Sequence, residues 1–449
     1  MNMMILMLCT LAFQGGRMGS SRAAAVTNIW DQVLQSDAKR EELLKLAALP
    51  RLLQLMEGAA ADAEAAYAAA GCLACLARHP KCMAEISATG AATTKVVSAC
   101  LGLLRGRHDR SRLPAAQLLL LLSRQPALVP RLEPCLATLL ALLAESGGPG
   151  WAGGQQLSTA AAGVLQALLE PSEYETEPAK QARRQACLAS GAVATLLGQL
   201  AGASGPLLLS AAACLRFMAL APGAAGVLAG DPAVARQLLQ LLSRGGDGVR
   251  AFVGGLTWEL AAAPRPAQQL LEAGAVPALL GVVQATAAAA GRRCSKQGGK
   301  GTQNGTDGSS KAGGAAGAKA GQQQRGGSAG KAAAGAAGKA AEAGSQPASA
   351  LLQDPAAAAA VALCNATGAL HHLSFLDEAK QQLGQSPQLR LLVDLLLRGK
   401  AGGQTYDNLV GCLWNVGLLA DNGPRLAAAG APAHLARPVP ARWTCAVAE

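Results

Sequence analysis

The chain has 449 residues, 51% of them hydrophobic but only 3% aromatic, a balance that favours helix and argues against a sheet protein. Its length suits two or three globular domains or one extended array. Its twelve cysteines, scattered through Leu/Ala-rich segments, fit buried thiols in a reducing compartment better than a disulfide framework. The net charge of +11 suggests nucleic acid only until it is located: nine basic residues between 291 and 350 face only Asp307 and Glu342, leaving +4 elsewhere.

In chain order, residues 1–26 open with the apolar run "MNMMILMLCTLAF" and continue as a flexible segment. That run has about the length of a signal-peptide core, but no Lys or Arg precedes it and no small-x-small cleavage site follows, so a secretory signal is disfavoured. From residue 27 to 285 one helix–break–helix pattern returns. It is seen in "ELLKLAALPRLLQLM" from Glu42 and "CLACLARHPKCMAEISATGA" from Cys72, and more weakly in "LLLLLSRQPALVPRLEPCLATLL" from Leu118. A copy from Val164 carries the acidic, Pro-bounded loop "PSEYETEP"; "CLRFMALAPGAAGVLAGDPAV" from Cys214 and "LTWELAAAPRPAQQLLEAGAVPALL" from Leu256 complete the set. Residues 286–350 are Gly/Ala/Lys-rich and cannot build a core, which reads as a disordered insertion. The pattern resumes over 351–436 in "ALHHLSFLDEAKQQLGQSPQL" from Ala369 and "CLWNVGLLADNGPRLAAAGAPAHL" from Cys412. An irregular tail, 437–449, contains Pro438 and Pro440, which predict that the last helix fails near Ala436 and that the end of the array frays. No other segment reaches the roughly 20 apolar residues of a membrane span without an interrupting Gly, Pro or charge.

Aligning the copies on the position of Gly430 gives the anchors Ala47, Gly90, Leu136, Gly191, Pro232, Gly274, Pro387 and Gly430, spaced 43, 46, 55, 41, 42, 113 and 43. The 55 contains the acidic loop. The 113 contains the low-complexity tract and returns to about 43 without it, the period of two- or three-helix solenoid repeats. Each unit has one apolar stripe that only a stacked neighbour can bury.

The stretches "CLWNVGLLADNGPRLAAAGAP", "LTWELAAAPRPAQQLLEAGAVPALLGVV" and "CLACLARHPKC…ATGA" resemble the armadillo repeat family of the β-catenin and importin type, with its small–Leu–x–Asn–Leu third helix and its Ala–Gly–Ala–Ile–Pro entry to the second helix. The resemblance implies an all-α, right-handed α-solenoid of about eight repeats interrupted by the long insertion. It also implies a concave face lined by the third helices.

Candidate sites follow from that register. Cys72, Cys75, His79 and Cys82 have a spacing that superficially suggests zinc, but Cys214 and Cys412 share the position of Cys72, so core filler is preferred and no metal is expected. Nucleophile and phosphate-loop motifs are missing, no cofactor is expected, and adjacent His371 and His372 cannot serve one metal from a single helix face. The ladder positions equivalent to Asn415 are Cys75, Leu121, Ala167, Phe217, Glu259 and His372, with Gln32 assigned by extrapolation. Trp258 and Trp414 share the preceding position, either as exposed binding residues or packed on an adjacent helix. The expected partner-binding set is therefore Phe217, Trp258, Glu259, His372, Trp414 and Asn415. A single ladder Asn, with Gly or Ala four residues before the ladder position, disfavours an importin-like reading.

These observations point to a cytoplasmic, non-catalytic scaffold that holds a partner protein along the concave face, with nucleus or cilium as other sites. One alternative is nucleic-acid binding through the basic insertion, which is disfavoured because the tract lacks aromatics to stack bases. Another is an adaptor subunit of a ubiquitin-ligase or ciliary complex.

Overall fold

In the computed structural model, residues 19–46, 48–88, 90–106, 108–145, 154–229, 232–298, 354–397 and 403–436 are described. Residues 1–18, the tract from 299 to 353 and the 437–449 tail, with the fraying expected there, lie outside them. All regular structure among the described residues is helical. Most of the eight copies supply a long third helix, a short first helix and an amphipathic second helix. The copies are α1–α3 (Gly19–Gln35, Asp37–Lys45, Ala48–Glu57) and α4–α6 (Ala63–Leu76, Pro80–Ala88, Gly90–Arg105). The third copy is α7 (Asp109–Ser123), a 3-10 segment (Pro126–Cys135) and α8 (Leu136–Glu145). Then come α9–α11 (Gly154–Leu169, Glu177–Ala189, Ala192–Gly202) and α12–α14 (Gly205–Ala219, Ala224–Leu228, Pro232–Arg244). The sixth copy is α15–α17 (Asp247–Ala261, Pro264–Glu272, Ala275–Gly298), and the seventh is α18–α20 (Pro355–Leu373, Asp377–Gln385, Leu389–Leu397). The last is α21–α23 (Gln404–Gly417, Gly423–Ala428, Ala433–Ala436), with a 3-10 turn before α22.

The described residues form two compact units that part between Val227 and Leu228. In the first, the third helices α1, α4, α7, α9 and α12 pack one on the next in chain order; in the second, α15, α18 and α21 do the same. A third helix flanked on both sides keeps only a narrow solvent face, which explains its Ala, Gly and Cys content. From Ala65 to Leu76 only Tyr67 escapes burial. Small side chains let such helices approach closely, and burying them costs little side-chain entropy. The first helices have one wet side. In α16, Ala267, Leu270 and Leu271 face inward while Arg265, Gln268 and Glu272 face water, and Pro264 opens the helix where no donor is lost.

The sequence anchors mark the turn between first and second helices. Gly191, Gly274 and Gly430 stand there with φ of 75°, 90° and 85°, a conformation that a Cβ disfavours. In the third copy, Pro130 and Pro134 replace this arrangement. Each would clash with the carbonyl four residues back in an α-helix, and the segment runs as a 3-10 helix instead. In the fourth copy the acidic loop is tied down. Glu175 pairs with Arg183 of α10, both side chains almost wholly buried, and Arg184 Nη1 reaches Glu177 Oε1 at 3.2 Å.

One boundary differs from the sequence expectation. Helix α17 does not stop at 285 but runs to Gly298, because the Ala-rich run after Val283 contains no Pro to end it. Helices α15 and α17 pack directly on α18, so the copies flanking residues 286–350 are neighbours within one compact unit, as a repeat spacing of about 43 without the tract implies.

One continuous segment among the described residues, Pro126–Glu145, is long and apolar enough by composition to cross a membrane. Two bent helix pairs, Pro80–Arg105 and Pro264–Ala289, pass the same test only if each is read as one broken span. The continuous segment is half 3-10 helix, carries Arg131 and Glu133, and buries Leu128, Leu132, Leu139 and Leu143 in the repeat core. We read it as core.

Candidate protein-binding surface

The second compact unit shows how one third helix seats on the next. Asn365 of α18 donates its Nδ2 to the Ala251 carbonyl of α15 at 2.7 Å, and Asn408 of α21 donates to the Cys364 carbonyl of α18 at 3.2 Å. Three residues after each Asn stands a glycine with a ring laid over it. A Cβ on Gly368 would stand 2.6 Å from Cδ2 and Cε2 of Trp258, and His371 covers Gly411 in the same way. In the first unit Trp30 lies over Gly71, and Leu120 over Gly163. Glycine is therefore required on the receiving helix because a side chain of the preceding one fills the space.

This register places each expected site residue. Trp258 is half-buried on Gly368, so it does pack on the adjacent helix. Trp414, its repeat equivalent, is 43% exposed, and no third helix follows α21 among the described residues. Asn415 is buried, and its Nδ2 donates to Oγ of Ser374, the residue that caps the C-terminus of α18, at 2.9 Å. The amide expected to read a peptide is thus engaged in helix-to-helix packing. Phe217 lies in the first unit, on α12, and is buried. The extrapolation to Gln32 needs correcting. With Trp30 over Gly71, the ladder position is the next residue, exposed Asp31, while Gln32 is buried and bonds along its own helix to Asn28.

Glu259 and His372 remain together beside a cluster that single-residue reading had not joined. Trp258 and His372 rings lie 6.4 Å apart, His371 and His372 5.8 Å, His371 and Phe375 5.5 Å, and His372 and Phe375 6.5 Å. Phe375 is 53% exposed. Burial pushes both imidazoles below the ordinary histidine range; each is further affected by a neighbour, His371 downward by His372 and His372 upward by Glu259. The strip is thus a ring surface whose imidazoles resist protonation, with Glu259 at its edge. Signals for the missed residues existed: Asn365 and Asn408 are one repeat apart, and His371 occupies the position of Trp258 and Trp414.

The zinc-like cysteines sit in helix interiors. Cys72, Cys75 and Cys82 are buried and in no disulfide, and among the described residues no three His, Cys, Asp or Glu side chains could hold a metal together. Burial pushes the thiol of Cys82 up to about 12, the behaviour of a core residue and not of a metal-ready thiolate.

No protein-family model matches the chain, and no curated protein matches it. Solved structures do. A chain from a structure concerned with a phosphorylation switch in the interaction between cadherin and beta-catenin superposes with a TM-score of 0.64 at 14% identity, over 95% of this chain and 70% of that one. An engineered protein superposes with a TM-score of 0.55 at 16% identity, over 96% of this chain and 92% of that one. At such identities the likeness concerns architecture alone, and together with the helix triplets and their stacking it shows that the chain has an armadillo-type α-helical repeat fold.

Proposed function

We propose that the protein is a non-catalytic scaffold that binds a partner protein along the exposed side of its third helices, through the ring strip Trp258–His371–His372–Phe375 with Glu259 at its edge. The observation that carries this reading is Phe375, more than half exposed yet in ring contact with both histidines, in a chain where only 3% of residues are Phe, Trp or Tyr. Aromatic side chains offer large contact area at low entropic cost and dominate interface hot spots. Among the described residues nine cysteines are buried and in no disulfide, which supports a reducing, cytoplasmic setting. The test is affinity capture by the intact chain from cells that express it, beside a Phe375→Ala chain. Phe375 is exposed, so the variant should fold normally while losing its captured partner. Unchanged capture would refute the strip as the binding surface, and capture abolished by nuclease would favour nucleic acid.

A further inference from the structure

The stacking register of the second unit repeats closely enough to specify what fits its open face. In each seated pair the lower helix presents two features seven residues apart: a backbone carbonyl and a ring. They are Ala251 and Trp258 on α15, and Cys364 and His371 on α18. The upper helix answers with Asn and Gly three residues apart, Asn365 and Gly368 or Asn408 and Gly411. Helix α21 carries the same lower-helix pair at the same spacing, the Asp407 carbonyl and Trp414. Here Asp407 is exposed, Val410 between them is half-buried, and Trp414 is 43% exposed. Helix α23 meets α21 past this face, where the Leu435 backbone closes on Gly417.

We propose that the α21 face of Asp407, Val410 and Trp414 is a docking site for a helix of a partner protein that presents Asn-x-x-Gly on one side. The glycine receives the Trp414 indole and the asparagine donates to the Asp407 carbonyl. A second copy of this chain is a poor occupant. In its register α1, whose Trp30 covers Gly71, offers Thr27 where the glycine must stand and Ala24 where the asparagine must stand. Its helices that do carry Asn-x-x-Gly, α18 and α21, already use those residues within their own stack. This site is separate from the ring strip and does not depend on it.

The probe is a synthetic peptide of residues 355–373, held helical by a lactam bridge on the side away from Asn365 and Gly368, with its helicity verified by circular dichroism. It is titrated into the full chain under reducing conditions. We expect saturable binding that weakens at least about tenfold with Trp414→Ala in the chain, as with Gly368→Leu in the peptide, because a lost ring anchor and a blocked seat are each hot-spot changes. Phe375→Ala in the chain should leave peptide binding unchanged, which separates this site from the proposed scaffold surface. Trp414→Ala must retain the native circular dichroism spectrum. Absence of binding, or binding indifferent to both Trp414→Ala and Gly368→Leu, overturns the proposal. So does self-association of the chain in sedimentation that Trp414→Ala abolishes, which would assign the face to a second copy.

Discussion

Replacing Gly368 by Ala tests the stacking register most directly, because two effects of opposite sign meet at one methyl group. Its Cβ would stand 2.6 Å from Cδ2 and Cε2 of Trp258 and 2.9 Å from Cε3. Comfortable carbon contacts are about 3.5–4.0 Å, so the indole must retreat by about 1 Å. It cannot do so freely, since His372 stands 6.4 Å away across the ring centroids. Overpacking of this kind costs about 1–3 kcal/mol, while Ala in place of a mid-helix Gly returns about 1 kcal/mol of helix propensity. Gly368→Ala should therefore be neutral to destabilising by about 2 kcal/mol in the native background. In a Trp258→Ala background the obstruction is gone, and the same substitution should stabilise by about 1 kcal/mol. The sign change is the diagnostic, and the cycle cancels the cavity cost of Trp258→Ala itself. Hydrogen exchange of α15 and α18 amides is the suitable assay, because repeat arrays open locally and do not unfold as one two-state body. A Gly368→Ala effect of the same sign and size in both backgrounds would refute the claim that Trp258 occupies the glycine's space.

Glu175→Gln should destabilise the fourth copy by about 3–5 kcal/mol, since it leaves the Arg183 guanidinium buried without its counter-charge. Glu175→Gln/Arg183→Met should recover much of that in thermal melting, and a single variant as stable as the parent would contradict the buried pair. The second unit should lose stability as pH falls. His371 and His372 have folded pKa values below the ordinary 6.5, so the unfolded chain takes up protons first, and stability drops from about pH 6.5 down to the folded values, levelling below them. His371→Gln/His372→Gln should flatten that slope in denaturant titrations between pH 7 and 5; an unchanged slope would assign it elsewhere. Thiol labelling of the native chain should modify no more than three of the twelve cysteines rapidly, because nine are in no disulfide but buried, with Cys135, Cys187 and Cys412 pushed up to about 12 by burial. Rapid labelling of a fourth would show that the repeat core opens.

The repeat was legible because what defines it is local. A break residue between first and second helices, an amphipathic second helix and a run of small residues in the third are each written within some 40 consecutive positions. Thus Gly191, Gly274 and Gly430 could be aligned before their left-handed backbone was seen. The low aromatic content beside abundant Ala and Leu likewise pointed to the all-helical class.

What one helix does to the next was not legible residue by residue. Asn415 looked like a ladder amide open to a partner, yet it bonds Ser374; Asn365 and Asn408 carried no flag although they hold α15, α18 and α21 together. The acidic segment was legible only as a loop, yet the Glu175 side chain is buried against Arg183. Composition and period determined the helices, their order and the turns between them, because those depend on propensity and on neighbours a few residues away. Only the tertiary structure decided that a glycine is the seat of an indole, that one tryptophan is half-buried while its repeat equivalent is exposed, and which amides are already taken. Those outcomes depend on side chains about 40 or more positions apart, which meet only once the helices have stacked.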